Sequence, residues 1–202
     1  MAAVSDRIMK RVRAKGRGWV FTPKHFVDLG TRASVDMALS RLAHTGVIRR
    51  VGRGLYDYPI QHEKLGDLTP DPSKVADALS AQGGSKLVAS GAAAANRLGI
   101  STQVPAKISF ATKGHSAVKR AAGRRVTLKH SRVPVLDTAP ESVNAIIQAL
   151  AYVGKDNLED GKIRSFARRI VDKDMQVLDR ARPQMPGWMS DAVFKIGKAR
   201  NG

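Results

Sequence analysis

The side chains best suited to chemistry in this sequence are arginines, and the chemistry that they favour is the binding of phosphate. Arg49, Arg50 and Arg53 lie close together, and Arg41 precedes them. A guanidinium group can form two parallel hydrogen bonds with a phosphate or with the major-groove edge of guanine. The net charge of +18 favours a polyanionic partner, with nucleic acid as the leading candidate. A generally basic protein without such a partner is the alternative.

No catalytic set accompanies these arginines. The five histidines share no metal-ligand spacing with one another or with carboxylates. Asp156, Glu159 and Asp160 could bind a cation, but a solvated turn is the simpler interpretation. Ser90 and Ser101 lack an identifiable base. The sequence therefore predicts neither a metal nor a cofactor and favours a binding protein over an enzyme. A nuclease is the enzyme class that the charge would suit best.

Two short helices are predicted ahead of the arginine cluster. Thr22 and Pro23 begin the first, and Gly30 ends it, because Thr is a good N-cap, Pro is tolerated in the first turn and Gly favours a helix C-terminus. Thr31 caps the second helix, which is predicted to end near His44. Two such helices in succession are typical of a helix-turn-helix.

The second of these helices has two different faces. At 100° per residue, its apolar residues share one side and predict a core-facing stripe. They are Val35, Ala38, Leu39 and Leu42. The opposite side is small and polar and lacks the Glu and Lys pairs of most solvated faces; it comprises Ala33, Met37, Ser40, Arg41 and His44. Such a face suits the DNA major groove, although an ordinary helical hairpin with a solvated face is the alternative.

A basic hairpin is predicted directly after this helix. Its strands cover 47–50 and 55–58, and Gly52-Arg53-Gly54 joins them as a tight turn. A short strand at 19–21 is predicted to pair with it. A wing is what a winged helix-turn-helix would have here, so we predict that residues 1–60 form a DNA-binding domain of this kind.

The rest of the chain predicts an α+β fold. A linker at 61–72 precedes a mixed α/β domain at 73–202 with a helical C-terminus. The predicted strands cover 86–89, 107–112, a hairpin at 119–130 that turns at Gly123, and 133–136. The predicted helices cover 4–14, 72–83, 91–98, 142–153, 162–180 and 188–196, the last with Trp188, Met189 and Phe194 as core residues.

The hairpin at 119–130 carries a second row of basic residues. Its outward-facing positions include Arg125 and Lys129. Edge strands often carry such charges only to prevent unwanted pairing. Edge protection and a second DNA contact therefore stay open as interpretations.

Charge and composition also bear on domain roles and location. Residues 1–58 hold twelve Lys and Arg against four Asp and Glu, whereas residues 140–202 hold eleven against eight. The first two thirds of the chain are therefore the predicted nucleic-acid side. No apolar run of about 18 residues or signal peptide is recognisable, so no membrane partner is expected. The absence of cysteine from the sequence agrees with a cytoplasmic location.

Several runs of the sequence resemble AbiEi-type antitoxins. These runs fall into two groups, one similar to the winged-helix half of that family and one similar to the start of its second domain. The likeness weakens after about Tyr152. The first group comprises Lys15–Pro23, Ala38–Leu42, Ile48–Arg50 and Gly52–Pro59, and the second comprises Gly91–Gly99 and Ser101–Ala106.

This resemblance implies an antitoxin of a type IV toxin–antitoxin system that represses its own operon. In such systems the winged helix binds inverted repeats in double-stranded promoter DNA. The C-terminal domain counteracts a nucleotidyltransferase toxin, which need not involve a stable complex. Carried over by position, the DNA-binding residues would be Thr31, Arg32, Ser34, Met37 and Arg41 on the second helix and Arg49, Arg50 and Arg53 in the wing; Lys24 and Arg17 join this set.

Two other functions compete with this one. An RNA-binding protein or nuclease could use the same basic surface, although only 5% of residues are Phe, Trp or Tyr, fewer than single-strand readers would need for base stacking. A winged-helix module that makes only protein contacts is the other alternative.

Overall fold

The apolar faces of two helices close over aromatic residues to form the core at the N-terminal end of the chain. Helix α1 (Val4–Lys15) and helix α2 (Arg32–His44) contribute buried side chains on one face each. Phe21 and Phe26 lie between them with no exposed surface. The core residues of α2 are those that its periodicity predicts, with Leu42 half-buried.

A three-stranded antiparallel sheet completes this core. It consists of β1 (Val20–Phe21), β2 (Arg49–Gly52) and β3 (Leu55–Asp57), in the order β1-β3-β2. The predicted pairing of the first strand with the hairpin is confirmed, since Val20 lies opposite Asp57. The sheet therefore joins the chain before α2 to the basic hairpin after it.

The segment before α2 is shorter in structure than its sequence predicts. Thr22 to Gly30 contains only one 3-10 turn, Pro23–Phe26, followed by a turn in which the Leu29 amide donates to the Phe26 carbonyl over 2.9 Å. The prediction of a full helix here is wrong. The chain must bury Phe26 and then turn at once into α2, which leaves no room for a second helical turn.

The computed structural model describes residues 3–201, without the side chain of Asn201, and it divides into two units. The first contains the described residues up to Leu87 together with Val118–Val126. The second contains Val88–Ala117 and the described residues from Thr127 onward. The class is mixed α and β with a helical C-terminus, as predicted.

The first unit extends well beyond the predicted boundary at residue 60. The predicted linker contains a small hairpin of β4 (Gln61–His62) and β5 (Gly66–Asp67). Helix α3 (Pro72–Gly83) follows, with Asp71 as its N-cap, and it packs against β1 and the 3-10 turn. The unit is longer because α3 buries its apolar side on these elements.

The remaining strands form a four-stranded sheet. They are β6 (Leu87–Ala89), β7 (Ile108–Thr112), β8 (Ala117–Ala121) and β9 (Arg124–His130), in the order β6-β7-β9-β8. No strand forms at 133–136, contrary to the prediction. The side chain of Asn144 is fully buried and bonds both backbone groups of Leu136, which leaves that residue nothing to exchange with a neighbouring strand.

Helices form the core of the second unit. They are α4 (Gly91–Arg97), α5 (Glu141–Val153), α6 (Asp160–Ala167), α7 (Asp172–Ala181) and α8 (Gly187–Asn201). Close packing joins α4 to α5, where a Cβ on Gly91 would lie 2.8 Å from the Gln148 carbonyl oxygen and from the Tyr152 Cβ. The small residues of α4 therefore serve backbone-close packing.

Two predictions for the C-terminal helices are wrong. The single helix expected at 162–180 is two helices, α6 and α7, separated by four residues. Phe194 is 46% exposed rather than part of the core, and its ring contacts the cationic groups of Arg182 and Lys198. Met189 is fully buried, as predicted, whereas Trp188 is half-buried.

Candidate nucleic-acid interface

The N-terminus of α2 is built by its own hydroxyl side chains. The Ser34 amide donates to Thr31 Oγ1 over 3.3 Å, and Ser34 Oγ donates to the Thr31 carbonyl over 2.8 Å. Gly30 leaves room for them, because a Cβ there would lie 2.6 Å from Ser34 Oγ. Thr31 and Ser34 therefore fix the residue at which the helix begins and the conformation of the backbone just before it.

The outer face of α2 is open and carries one unpaired cation. Met37 is 55% exposed, and Arg41 is exposed without a hydrogen bond or ion pair to any other residue that the structure describes. Arg32 instead forms an ion pair with Asp36 over 2.8 Å, one helical turn away on the surface. Of the two arginines on α2, Arg41 is thus the one whose guanidinium has all its donors available.

The turn of the basic hairpin needs a residue in the left-handed conformation, and a side chain of α3 stabilises it. Gly54 has φ of +63°, a conformation that L residues adopt only with strain. Gln82 Nε2, at the end of α3, donates to the Arg53 carbonyl over 2.9 Å. Gln82 was not predicted as a functional residue, because nothing local connects it with a turn 29 positions earlier.

The exposed cations of this hairpin are Arg50 and Arg53. Neither makes a side-chain hydrogen bond or ion pair within the described part of the chain. Arg50 pairs with Tyr56 across the hairpin, and a bulge lies between Arg50 and Gly52. A bulge twists a hairpin locally and redirects the side chains beside it.

Arg49 differs from its neighbours because its guanidinium is engaged inside the protein. Its Nε and Nη2 donate to the two carboxylate oxygens of Asp57 over 3.1 and 2.6 Å, and Nη2 also donates to the Leu68 carbonyl over 2.8 Å. The Asp57 side chain is 1% exposed. This geometry gives Arg49 a structural role, because a buried carboxylate needs its partner.

Arg17 and Lys24, the remaining predicted site residues, are differently placed. Arg17 lies over the ring of Tyr58, with the guanidinium carbon 4.7 Å from the ring centre, and donates to the Pro59 carbonyl over 2.8 Å. Lys24 is exposed on the 3-10 turn, with no partner among the described residues. Arg17 thus supports the end of the hairpin, while Lys24 adds an exposed charge.

An arginine of α1 holds the turn that leads into α2. Arg11 Nη1 and Nη2 donate to the Asp28 carboxylate over 2.8 and 2.6 Å, and Nη1 also donates to the His25 carbonyl. The hydrogen bonds from Arg11 lower the pKa of Asp28 to about 2. The ion pair therefore persists at any physiological pH and fixes the spacing between α1 and the turn.

His25 closes the same turn through a ring nitrogen. Its Nδ1 accepts a hydrogen bond from the Thr22 amide over 3.0 Å, and its ring packs edge-on against Trp19. Burial lowers the pKa of His25, and the positive charges of Lys15 and Arg11 lower it further. The residue therefore acts as a hydrogen-bond acceptor that closes the turn.

The described residues contain no group of three or more metal-ligating side chains positioned to hold an ion. Among the helices that the structure describes, none has the length and apolar content needed to cross a bilayer.

The chain is similar to one family of known sequences. A protein-family model, described as a family of unknown function (DUF6088), matches residues 7–177. No curated protein matches the chain significantly. The matched range includes α1, α2, the basic hairpin and most of the second unit.

Proposed function

We propose a function for this chain, which belongs to the DUF6088 family of unknown function: it binds double-stranded DNA through α2 and the basic hairpin and regulates transcription. In this proposal the first unit acts as a winged helix-turn-helix. Helix α2 enters the major groove, and the hairpin of β2 and β3 is the wing that contacts the phosphate backbone.

One observation carries the proposal. Arg41, Arg50 and Arg53 are exposed and unpaired within the described residues, whereas Arg11 and Arg49 are bound to carboxylates. Keeping three cations unpaired at the end of a helix and on the hairpin beside it has no stabilising effect on the fold. Their arrangement suits phosphate and base contacts, which supply most of the affinity in protein–DNA complexes.

In this proposal the predicted DNA-binding residues fall into three groups. We propose that Arg41, Met37, Arg50, Arg53 and Lys24 touch DNA. Thr31, Ser34 and Arg32 form the start of α2, where backbone amides can meet a phosphate. Arg49 and Arg17 position the wing through Asp57, Leu68, Tyr58 and Pro59.

The finer proposal is an antitoxin of a type IV toxin–antitoxin system in the cytoplasm. The resemblance to AbiEi-type antitoxins supports it. The protein would repress its own operon by binding inverted repeats in the promoter. The second unit would counteract a nucleotidyltransferase toxin, and co-expression with the product of the neighbouring gene would test this role.

DNA binding is tested by titrating the full chain into labelled duplex taken from upstream of its own gene. We expect tighter binding than to random duplex of the same length at moderate salt. Equal affinity for both would overturn the regulatory function. Incubation with RNA and Mg²⁺, followed by electrophoresis, tests the competing nuclease function, which visible cleavage would favour.

The variants Arg53→Ala and Arg41→Ala separate the two kinds of contact. Arg53→Ala should weaken binding to all duplexes alike and reduce the slope of log affinity against log salt by about one. Arg41→Ala should cost roughly 1–3 kcal/mol on the specific site only, if it binds a guanine edge. Equal losses on specific and random duplex would mean that Arg41 contacts phosphate alone.

A further inference from the structure

We infer that the tip of the β8–β9 hairpin, Val118–Val126, is a second DNA-contacting arm that lies beside the wing and binds the phosphate backbone with it. This inference rests on the proposed function, which it extends by a new contact element. The tip belongs to the same compact unit as α2 and the wing.

A backbone hydrogen bond joins the tip to the wing. The Ala122 amide donates to the Val51 carbonyl of β2 over 2.7 Å. In the order β1-β3-β2, β2 is the outer strand of its sheet, so this bond occupies part of an otherwise unpaired edge. The tip is therefore attached to the strand that carries Arg50.

The backbones of the two hairpins approach too closely for a side chain between them. A Cβ on Gly52 would lie 2.8 Å from the Arg120 carbonyl oxygen. Glycine at this position of the wing thus has a packing reason that is separate from turn geometry. Contact at backbone level brings the side chains of both hairpins onto neighbouring surface.

The turn of the second hairpin is strained in a way that serves this contact. Ala122 has φ of +50°, and Gly123 after it has φ of +73°. Among the described residues, Ala122 is the one non-glycine with a positive φ. A conformation of this kind is unfavourable for a residue with a side chain and persists only where the surroundings impose it. Here it directs the Ala122 amide at the Val51 carbonyl.

The tip carries four exposed cations without a partner in the described structure. They are Lys119, Arg120, Arg124 and Arg125. A cleft of about 600 Å³ is lined by residues of both hairpins and the end of α3, among them Arg53, Lys119 and Arg120, and none of its lining residues is acidic. Three cations without a partner in the described structure, Arg53, Lys119 and Arg120, thus line a cleft that has no carboxylate in its lining, and Arg124 and Arg125 follow on the same hairpin.

Edge protection does not explain all of these charges. In the order β6-β7-β9-β8, β8 is an outer strand, so Lys119 and Arg120 could serve that purpose. Arg124 and Arg125 lie on β9, which has a strand on either side. Phosphate binding accounts for all four, because a duplex carries a negative charge about every 1.7 Å along its axis.

The test is a salt titration of duplex binding with two charge-matched variants of the full chain. One variant combines Lys119→Gln, Arg120→Gln, Arg124→Gln and Arg125→Gln. The other combines Arg164→Gln, Arg168→Gln, Lys173→Gln and Arg180→Gln, which are exposed and unpaired within the described residues but belong to the second unit. Both variants lose the same formal charge, and thermal unfolding verifies that both are folded.

We expect the tip variant to bind both specific and random duplex at least about tenfold more weakly near 0.1 M salt and to lose about two to four units of salt slope. The control variant should lose less than one unit. If the wild type binds its duplex and Arg53→Ala weakens it, but the tip and control variants behave alike, the second arm is disproved while the proposed function stands. If the wild type binds no duplex, both fail together.

Discussion

Neighbouring arginines in this chain have different physical roles. Arg49 donates to a buried carboxylate and a carbonyl, while Arg50 is exposed and unpaired within the described residues. Their order in the sequence gives no hint of the difference. It arises because alternate residues of a strand point to opposite faces, and Asp57 lies on the face of Arg49.

Replacing Arg49 should therefore destabilise the fold, whereas replacing Arg50 should not. Arg49→Met leaves Asp57 buried without its partner, a change that typically costs about 3–5 kcal/mol. Arg50→Met is a surface change and should alter the unfolding free energy by no more than about 0.5 kcal/mol. Denaturant unfolding of both variants measures this, and equal stability would contradict a structural role for Arg49.

A second prediction concerns the carboxyl group of Asp28. Its pKa is about 2 instead of 3.8, because Arg11 donates to it. Since the folded-state value is the lower one, the ion pair stabilises the fold fully above the usual pKa, and this contribution disappears as the pH falls towards 2. An NMR titration should find the pKa of Asp28 near 2 in wild type and nearer 3.8 in Arg11→Gln.

The matched control for this titration is Arg13→Gln. Arg13 is an exposed residue of the same helix and makes no contact with Asp28. It should leave the pKa of Asp28 where it is. A pKa of Asp28 that is the same in all three proteins would show that the bonds with Arg11 do not exist in solution.

At the scale of elements, the break between α6 and α7 depends on a residue from the far end of the chain. Arg200, on α8, donates to the carbonyls of Ala167 and Ile170 and forms an ion pair with Asp172. The last carbonyls of a helix have no partner within it. The Arg200 guanidinium satisfies the last carbonyl of α6, that of Ala167, and the carbonyl of Ile170 in the connection, and it also holds the first turn of α7.

Loss of this arginine should therefore loosen both helices. We expect Arg200→Ala to lower the unfolding free energy by about 2 kcal/mol, since hydrogen bonds from a charged donor contribute roughly 1.5–3 kcal/mol. Lys195→Ala, an exposed change on the same helix, serves as the control and should have little effect. Hydrogen exchange of α6 and α7 would locate the loss, and unchanged protection there would refute the capping role.

For the whole molecule, the distribution of charge governs how binding should respond to solution conditions. The net charge of +18 comes from 35 Lys and Arg against 17 Asp and Glu. Lysine and arginine keep their protons until well above neutral pH. Their attraction for a duplex is therefore sensitive to salt rather than to moderate changes of pH.

We accordingly expect the affinity for duplex DNA to change by less than about threefold between roughly pH 7.5 and 9 at constant ionic strength, because the cations on the proposed surface are lysines and arginines. Raising the salt from about 0.05 to 0.2 M should weaken binding by orders of magnitude. Fluorescence anisotropy measures both. A steep loss with pH at fixed salt would contradict binding through lysines and arginines.

Local signals in the sequence predicted much of the first unit. The bounds of α2 were predicted to within one residue, from Thr31 as a cap and from the apolar spacing of Val35, Ala38 and Leu39. Gly54 correctly predicted the position of the hairpin turn. These features depend on interactions within a few residues, so a sequence pattern suffices to predict them. The α+β class followed from the same patterns along the chain.

Several errors lie where tertiary contacts decide the outcome. Asn144 replaces a strand partner for Leu136, and Arg200 stabilises the ends of two helices where periodicity alone predicts one. Phe194 is exposed, and its ring meets the cations of Arg182 and Lys198 instead of the core. Arg200 lies 33 and 30 positions from the two carbonyls that it binds, so no local window of sequence contains both partners. Asn144 lies only 8 positions from Leu136, but the sequence pattern does not show that its side chain is buried against that backbone.

The sequence by itself determined the class of the fold, the position of α2 and its outer face, and the positive charge, because each follows from residue types or from neighbours along the chain. Only the tertiary structure decided which arginines are engaged internally and which are exposed, and it brought the tip at Val118–Val126 against the wing. The physical reason is that the bond between Ala122 and Val51 and the burial of Asp57 join segments that are distant in sequence. Such contacts exist only once the chain has folded.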